Sequence, residues 1–301
     1  MDLSVQIGNK KLPNPIGVAS GTFGYGSEYE ALVDLNSIGA IFTKAVTVEP
    51  RPGNDIPRMV ETPAGMLNSI GLANVGVEKF ITDKMPFLEK LPCAIIPNVA
   101  GSTEEEYLEV LERLEANIDV FGYEINVSCP NVKHGGLAFG TEPKMIERLT
   151  SELRKRTDRP LIIKLTPNVT DITVIAKAAE QGGADAVSCI NTLVGMVIDV
   201  QKRKPVLPAK TGGLSGPAVK PVGIAMTYRV SRAVSIPVIG LGGIMDTDDA
   251  LQYLLAGACA IQIGTATFVD PSIPHTILQG IISFGLKEHL ACVGEISNLL
   301  Q

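Results

Sequence analysis

The stretch YEINVSCPN, Tyr123 to Asn131, decides how this chain is read. Its first half is a short strand-like run. Its second half turns polar, closing in Asn126, Ser128, Cys129 and Asn131 before the loop VKHGG. A short apolar run bounded by turn chemistry fits a strand buried in a parallel sheet. Amides and a thiol at the mouth of such a strand are either turn residues or a reaction site.

Seven further runs share that form. They are IGVAS (Ile16–Ser20), AIFTKA (Ala40–Ala45), CAIIPN (Cys93–Asn98), LIIKLT (Leu161–Thr166), AVSCIN (Ala186–Asn191), PVIGLG (Pro237–Gly242) and AIQIGT (Ala260–Thr265). Helical patterns separate most of them. TEEEYLEVLERLEA carries acids in its first turn after Ser102 or Thr103 as N-cap, with apolar residues at three- and four-residue spacing. PKMIERLTSELRKRT opens on Pro143 and ends in a basic cluster that suits the helix dipole. DITVIAKAAEQGGAD and DTDDALQYLLAGA both stop at glycine. Buried strands alternating with helices build an open doubly wound sheet or a closed barrel. Eight units in 301 residues, with no Ser- or Pro-rich seam, predict an α/β chain forming one (β/α)8 TIM barrel domain over residues 1–301.

That fold builds its sites at the C-terminal ends of its strands. Here the runs close in Ser20, Lys44, Asn98, Asn126 with Cys129, Lys164, Asn191, Gly242–Gly243 and Gly264–Thr265. Any one of these is ordinary turn or capping chemistry. Charged or amide groups closing one apolar run after another predict a functional cleft.

Bulk properties exclude several classes. Hydrophobic residues make up 45% of the chain and charged ones 19%, enough for a sizeable core. The net charge of −6 and the absence of a Lys/Arg stripe argue against nucleic acid; the KRK run at Lys202–Lys204 reads as a solvated loop. No run approaches the roughly 18 apolar residues of a membrane span. The N-terminus lacks the basic-then-apolar pattern of a signal peptide, so a cytoplasmic protein is expected. Cys93, Cys129, Cys189, Cys259 and Cys292 show no metal-ligand spacing, and no metal is expected. Cys93, Cys189 and Cys259 sit in or beside apolar runs, as small buried side chains do. Cys129 stands apart, because Pro130 and a polar loop follow it at once.

The last two runs close in GLGGI and IGTAT, glycine-rich turns that can surround a phosphate with backbone N–H groups. Barrels often place a phosphate site there. Asparagine offers both donor and acceptor, which suits a planar heterocycle, and lysine suits a carboxylate or developing negative charge. A flavin mononucleotide together with a second heterocyclic substrate would use all of these groups. No complete G-x-G-x-x-G follows a strand, so a Rossmann dinucleotide site is not expected.

NVSCPN, preceded by FTKAVT, NSIGLAN and IIPNVAG and followed by IIKLTPN, INT, GGLSGP, GLGGI and IGTAT, resembles the soluble class of dihydroorotate dehydrogenases. The likeness runs in order over nearly the whole chain. Within that class, GMVIDVQKRKPVL and TGGLSGPAVKP resemble the catalytic subunit of the NAD-linked, two-subunit branch more than the fumarate-linked homodimer.

The resemblance implies oxidation of dihydroorotate to orotate in pyrimidine (UMP) biosynthesis. It makes Cys129 the base that removes the C5 proton while C6 delivers hydride to FMN. It assigns the substrate to Lys44, to Asn68 with Ser69, Ile70, Gly71 and Leu72, and to Asn126, Asn131, Asn191 and Thr192, with Ser128 helping to orient them. It assigns the flavin to Ser20, Lys44, Ala45, Asn98, Asn126, Lys164, Ile190 and Gly216, and its phosphate to Gly242, Gly243, Gly264 and Thr265. Lys44 would face the orotate carboxylate and Lys164 the flavin N1/O2 edge. PNVKHGGLAFG would form a lid, with His134 a solvated member of it. The branch further implies a dimer of catalytic subunits in a heterotetramer, its electron-transfer subunits carrying FAD and a [2Fe–2S] cluster.

Two other readings stand beside this one. A dihydrouridine synthase-like enzyme also joins an FMN barrel to a cysteine, but must hold tRNA, against the acidic balance here. A phosphosugar aldolase or isomerase barrel would want the same glycines and a strand-end lysine. A scaffold without chemistry leaves the polar rim unexplained.

Overall fold

The computed structural model describes residues 1–128, 130–131 and 137–301, with the backbone alone at 130–131 and 137–138. All eight apolar runs become the strands of one closed, parallel barrel. In chain order these are β1 (Ile16–Val18), β2 (Ala40–Val46), β3 (Ala94–Val99), β4 (Tyr123–Asn126), β5 (Leu161–Leu165), β6 (Ala186–Cys189), β7 (Val238–Leu241) and β8 (Ala260–Ile263). Each pairs with the next, and β8 closes on β1 through Ile261 opposite Ile16. Ser20, Asn191, Gly242 and Thr265 fall just past the last strand residues, on the loops at the C-terminal mouth.

The helices follow from their caps and apolar stripes. In α1 (Glu104–Asn117), the Thr103 side chain accepts from Glu106 N, and Glu106 reaches back to Ser102 N at 2.7 Å. That fixes the start and turns Tyr107, Val110, Leu111 and Leu114 inward. Helix α2 (Pro143–Arg154) opens on proline, while α3 (Ile172–Gln181) and α5 (Thr247–Leu255) are capped by Asp171 and Asp246. Helices α4 (Lys220–Ser231) and α6 (Ile273–Lys287) complete this set. No α-helix covers the β1–β2 link, where a single 3-10 turn, Leu35–Ser37, stands instead.

Inside the barrel the side chains are layered. Phe42, Ile96 and Ile162 belong to the apolar cluster that also takes Ile7 and Leu12 from an N-terminal hairpin, Val5–Ile7 with Lys10–Leu12. Lys10 Nζ reaches Val120 O ahead of β4, and Asn9 Nδ2 reaches Asp158 O ahead of β5, so the hairpin closes the N-terminal end. Toward the other end the interior turns polar.

At that end a four-stranded antiparallel sheet rises from the barrel. Its order is Leu193–Gly195, Gly212–Ser215, Gly65–Asn68 and Met59–Thr62. It draws its strands from the β2–β3 and β6–β7 connections and walls one side of the mouth.

Candidate active site

The mouth opens on a cavity of about 850 Å³, near the upper end of the range for small-molecule sites. Its floor is a polar cluster on five strands. Glu124 on β4 is fully buried, and its Oε2 accepts from Asn98 Nδ2 of β3 at 2.6 Å and from Lys164 Nζ of β5 at 3.3 Å. Its Oε1 accepts from Gln262 Nε2 of β8 at 2.7 Å and from the Ser188 hydroxyl of β6 at 2.8 Å. Lys164 also reaches the Ser20 hydroxyl at 3.4 Å. A buried ion pair is tolerable when further hydrogen bonds satisfy the remaining lone pairs, as here. Asn98 Oδ1 is the exception. It is buried, no described residue donates to it, and Asn98 lines the cavity.

A bulge delivers the second lysine. Phe42 stands opposite Ile96 and Ala45 opposite Asn98, so β2 spends three residues where β3 spends two. The extra residue lets both Lys44 and Ala45 line the cavity, where strict alternation would admit one of them. No described residue forms a hydrogen bond or ion pair with Lys44 Nζ. Of the two strand-end lysines, Lys164 is tied to a carboxylate, while Lys44 lines the cavity with no partner among the described residues.

The amides form a second group. Asn191 Nδ2 donates to Ser128 Oγ at 2.8 Å and to Asn126 Oδ1 at 3.3 Å, and Asn191 Oδ1 accepts from Thr192 N at 2.8 Å. Tyr107 of α1 donates to Asn126 O at 2.6 Å, fixing the end of β4 from behind. Across the cavity, Asn68 Nδ2 donates to Gly213 O at 3.2 Å within the rim sheet. The following residues are pinned by Asn54, whose Nδ2 donates to Ser69 Oγ at 2.8 Å and whose N–H donates to Ile70 O at 3.0 Å. Gly71 and Leu72 both take positive φ, +72° and +53°, turning this segment over the cavity edge.

The glycines divide into two kinds. Gly243 has φ +71°, and a Cβ there would come within 2.7 Å of Gly216 O. Gly216, at φ +90°, lies equally close to Gly65. These two are required by the approach of the rim sheet to the β7 mouth. Gly264 is different. A Cβ there would meet nothing nearer than Ala19 Cβ at 3.5 Å, so the protein's own packing does not require glycine at that position. Thr265 beside it donates to Ser215 Oγ at 2.8 Å.

The structure thus brings into one cavity Ser20, Lys44, Ala45, Asn68, Ser69, Ile70, Gly71 and Leu72, together with Asn98, Asn126 and Lys164. Ile190, Asn191, Thr192, Gly216, Gly242, Gly243, Gly264 and Thr265 join them. Cys129, the Asn131 side chain and His134 lie outside the described residues. Of the supposed lid, the backbone pairing of Pro130–Asn131 with Leu137–Ala138 is described. Sequence reasoning passed over Glu124, Ser188 and Gln262 at the floor and Arg51 and Asn54 at the rim. A charged residue inside YEIN was the available signal, since a strand covered on both faces has no solvent side for it. Burial pushes the Cys93, Cys189 and Cys259 thiols up to about 12, in keeping with a structural place for all three. No helix among the described residues is long and apolar enough to cross a membrane.

Comparison with known proteins adds an independent finding. Residues 2–284 match the profile of the dihydroorotate dehydrogenase family. Three relatives share the printed name dihydroorotate dehydrogenase B (NAD(+)), catalytic subunit. That of Geotalea daltonii is 52% identical over 300 residues, covering 100% of this chain and 98% of its own. That of Pelobacter propionicus is 52% identical, covering 100% and 99%. That of Geobacter sulfurreducens is 51% identical, covering 100% and 98%.

Proposed function

The chain belongs to the dihydroorotate dehydrogenase family, and on that premise we propose that it is the FMN-binding catalytic subunit of an NAD-linked enzyme that oxidises (S)-dihydroorotate to orotate. The carrying observation is the convergence on one cavity of Lys44, which has no partner among the described residues, a ring of asparagines and a lysine-bearing floor. The relatives' names supply NAD as acceptor and the standing of a subunit. They favour this branch over the fumarate-linked homodimer and over a tRNA-modifying enzyme.

The family is flavin-dependent, and the residues present fit a flavin. Asn98 Oδ1 is a buried acceptor awaiting an N–H donor, which an isoalloxazine ring offers. Ser20, Lys44, Ala45, Asn126, Lys164, Ile190 and Gly216 would complete the ring site with it. Gly264 leaves room that the fold does not need, and with Gly242, Gly243 and Thr265 it would receive the phosphate. FMN, when bound, supplies the acceptor for the hydride that leaves C6.

The chain's own residues carry the remaining chemistry. Lys44 binds the substrate carboxylate, and Asn68, Asn126, Asn131, Asn191 and Thr192 bind the pyrimidine amides, with Ser69 to Leu72 forming the edge of that pocket. Cys129, as thiolate, takes the C5 proton; the C5–H electron pair becomes the new C5=C6 bond as hydride leaves C6. A positioned general base contributes about 100- to 10,000-fold. The ammonium of Lys164 favours the added negative charge of the reduced cofactor. A partner subunit carrying FAD and [2Fe–2S] would take the electrons on to NAD, in a heterotetramer built on a dimer of this chain.

Two measurements test the reading together. The purified chain should be yellow and release FMN on denaturation. It should oxidise dihydroorotate with dyes as acceptor, while fumarate serves poorly. A colourless chain that FMN cannot reconstitute, or one inert to dihydroorotate, overturns it.

A further inference from the structure

Glu124 lies beneath the cavity floor, fully buried, and is not among the residues lining the cavity. A carboxylate at such a place costs several kcal/mol of desolvation unless it is paired and hydrogen-bonded. Its acceptor capacity is fully used by Asn98, Lys164, Ser188 and Gln262, at 2.6 to 3.3 Å. Three of those four donors line the cavity. Gln262 turns its other end, Oε1, to Lys164 at 3.5 Å, so the ammonium is held from two sides. Filling the barrel does not require this arrangement. One strand over and in register with Glu124, the buried residue is Ile162, which fills its place with no charge to desolvate.

We infer that Glu124 is a positioning residue: it fixes Lys164 and Asn98 against the cofactor site and offsets part of the lysine charge there. The inference rests on the FMN reading above. An ammonium held against a carboxylate stabilises added negative charge above it less than a free ammonium does. The pair thereby sets the electron affinity of the site. The same carboxylate takes the Asn98 N–H₂ and leaves Oδ1 without a donor among the described residues, so one residue orients both groups.

The test compares wild type, Glu124→Gln, Lys164→Met and the double variant, each loaded with FMN. The readouts are the flavin midpoint potential, by dye equilibration, and the FMN dissociation constant, by fluorescence quenching. Glutamine keeps the shape, and Ser188 can rotate to accept from it. Glu124→Gln should shift the redox equilibrium at least about tenfold toward reduced flavin, an upward move of about 30 mV for a two-electron couple. In the Lys164→Met background the same exchange should move it less than about threefold, because the ammonium through which Glu124 acts is gone. Should Glu124→Gln alone fail to fold, Lys164→Met against the double variant decides. Near-identity supports the inference, and a tenfold difference overturns it. An unmoved or lowered potential in Glu124→Gln, or equal shifts with and without Lys164, also overturns it. A wild-type chain that binds no FMN overturns the cofactor reading and this inference with it. FMN bound with an unmoved potential overturns this inference alone.

Discussion

The side-chain amide of Asn191 donates to the Ser128 hydroxyl at 2.8 Å, tying the loop after β6 to the loop after β4. The same amide reaches Asn126 Oδ1 at 3.3 Å. The donors and acceptors proposed for the pyrimidine are thus set before substrate arrives, which lowers the entropy cost of binding. Ser128→Ala removes one anchor and leaves the other. A lost hydrogen bond of about 1 kcal/mol predicts roughly fivefold weaker orotate binding with FMN content unchanged. Calorimetric titration checks it, and unaltered affinity would remove Ser128 from the arrangement.

The two lysines should fail in different ways. Lys44 has no partner among the described residues, so Lys44→Ala should leave stability within about 0.5 kcal/mol. It should weaken orotate binding by roughly 10- to 100-fold, as expected for a charge-assisted contact. Lys164→Met strands Glu124 in the barrel interior and should destabilise the fold by about 3 to 5 kcal/mol. It should also lower the flavin potential. Urea unfolding with orotate titration separates the two, and matching behaviour of both variants would contradict the assignment.

The barrel was legible because parallel strands covered on both faces read as apolar runs, and all eight runs are strands. The pair Ser102 and Thr103 announced its helix by capping chemistry, and Thr103 is the cap. Three features were not legible. The bulge before Ala45 depends on the pairing of β2 with β3, which no local pattern encodes. The rim sheet joins short, glycine-bearing segments such as Gly65–Asn68 and Gly212–Ser215 from distant connections, and its register is a tertiary property. Glu124 was hidden for the opposite reason. It sits within a strong strand signal, and its carboxylate makes sense only once Lys164 and Gln262 are seen around it.

Glycine substitutions should separate cradle from fold. A Cβ at Gly264 makes only ordinary contacts, so Gly264→Ala should fold normally yet bind FMN at least about tenfold more weakly, by occupying the phosphate space. Gly243→Ala meets positive φ and the Gly216 carbonyl, and should cost about 1 to 3 kcal/mol of stability whether or not FMN is present. FMN content and melting temperature, measured together, distinguish the two. Full FMN retention in Gly264→Ala would move the phosphate elsewhere.

Thiol chemistry offers a pH test. Burial raises Cys93, Cys189 and Cys259 from the ordinary value of 9.0 to about 12. All three remain protonated and unreactive near neutrality, so iodoacetamide should label Cys129 and Cys292, with orotate protecting Cys129 alone. A raised folded value means that the folded chain holds these protons after the unfolded chain has lost them. Their contribution to stability is therefore complete below about pH 9 and is lost as pH climbs toward 12. Denaturant titrations across that window should show falling midpoints. Rapid labelling of Cys189 in the folded chain near pH 8 would contradict the burial argument.

Delivery of electrons to NAD needs either an open path for nicotinamide to the FMN or a relay to a second flavin. The sequence lacks a dinucleotide-binding fingerprint, and its five scattered cysteines have no iron–sulfur spacing. Among the described residues no cluster of His, Cys, Asp or Glu could hold a metal ion. The relatives are named as catalytic subunits of an NAD enzyme, and the proposed function accordingly puts the relay on a second polypeptide. The isolated chain should therefore reduce dyes with dihydroorotate while reducing NAD slowly or not at all. Cys129→Ala should abolish dye reduction by about 100-fold or more without loss of orotate binding, which ties the dye assay to the same chemistry. Adding a subunit that carries FAD and a [2Fe–2S] cluster should switch NAD reduction on, and sedimentation should then report two of each chain. Efficient NAD reduction by this chain alone, or fumarate as its preferred acceptor, would place it in a different branch of the family.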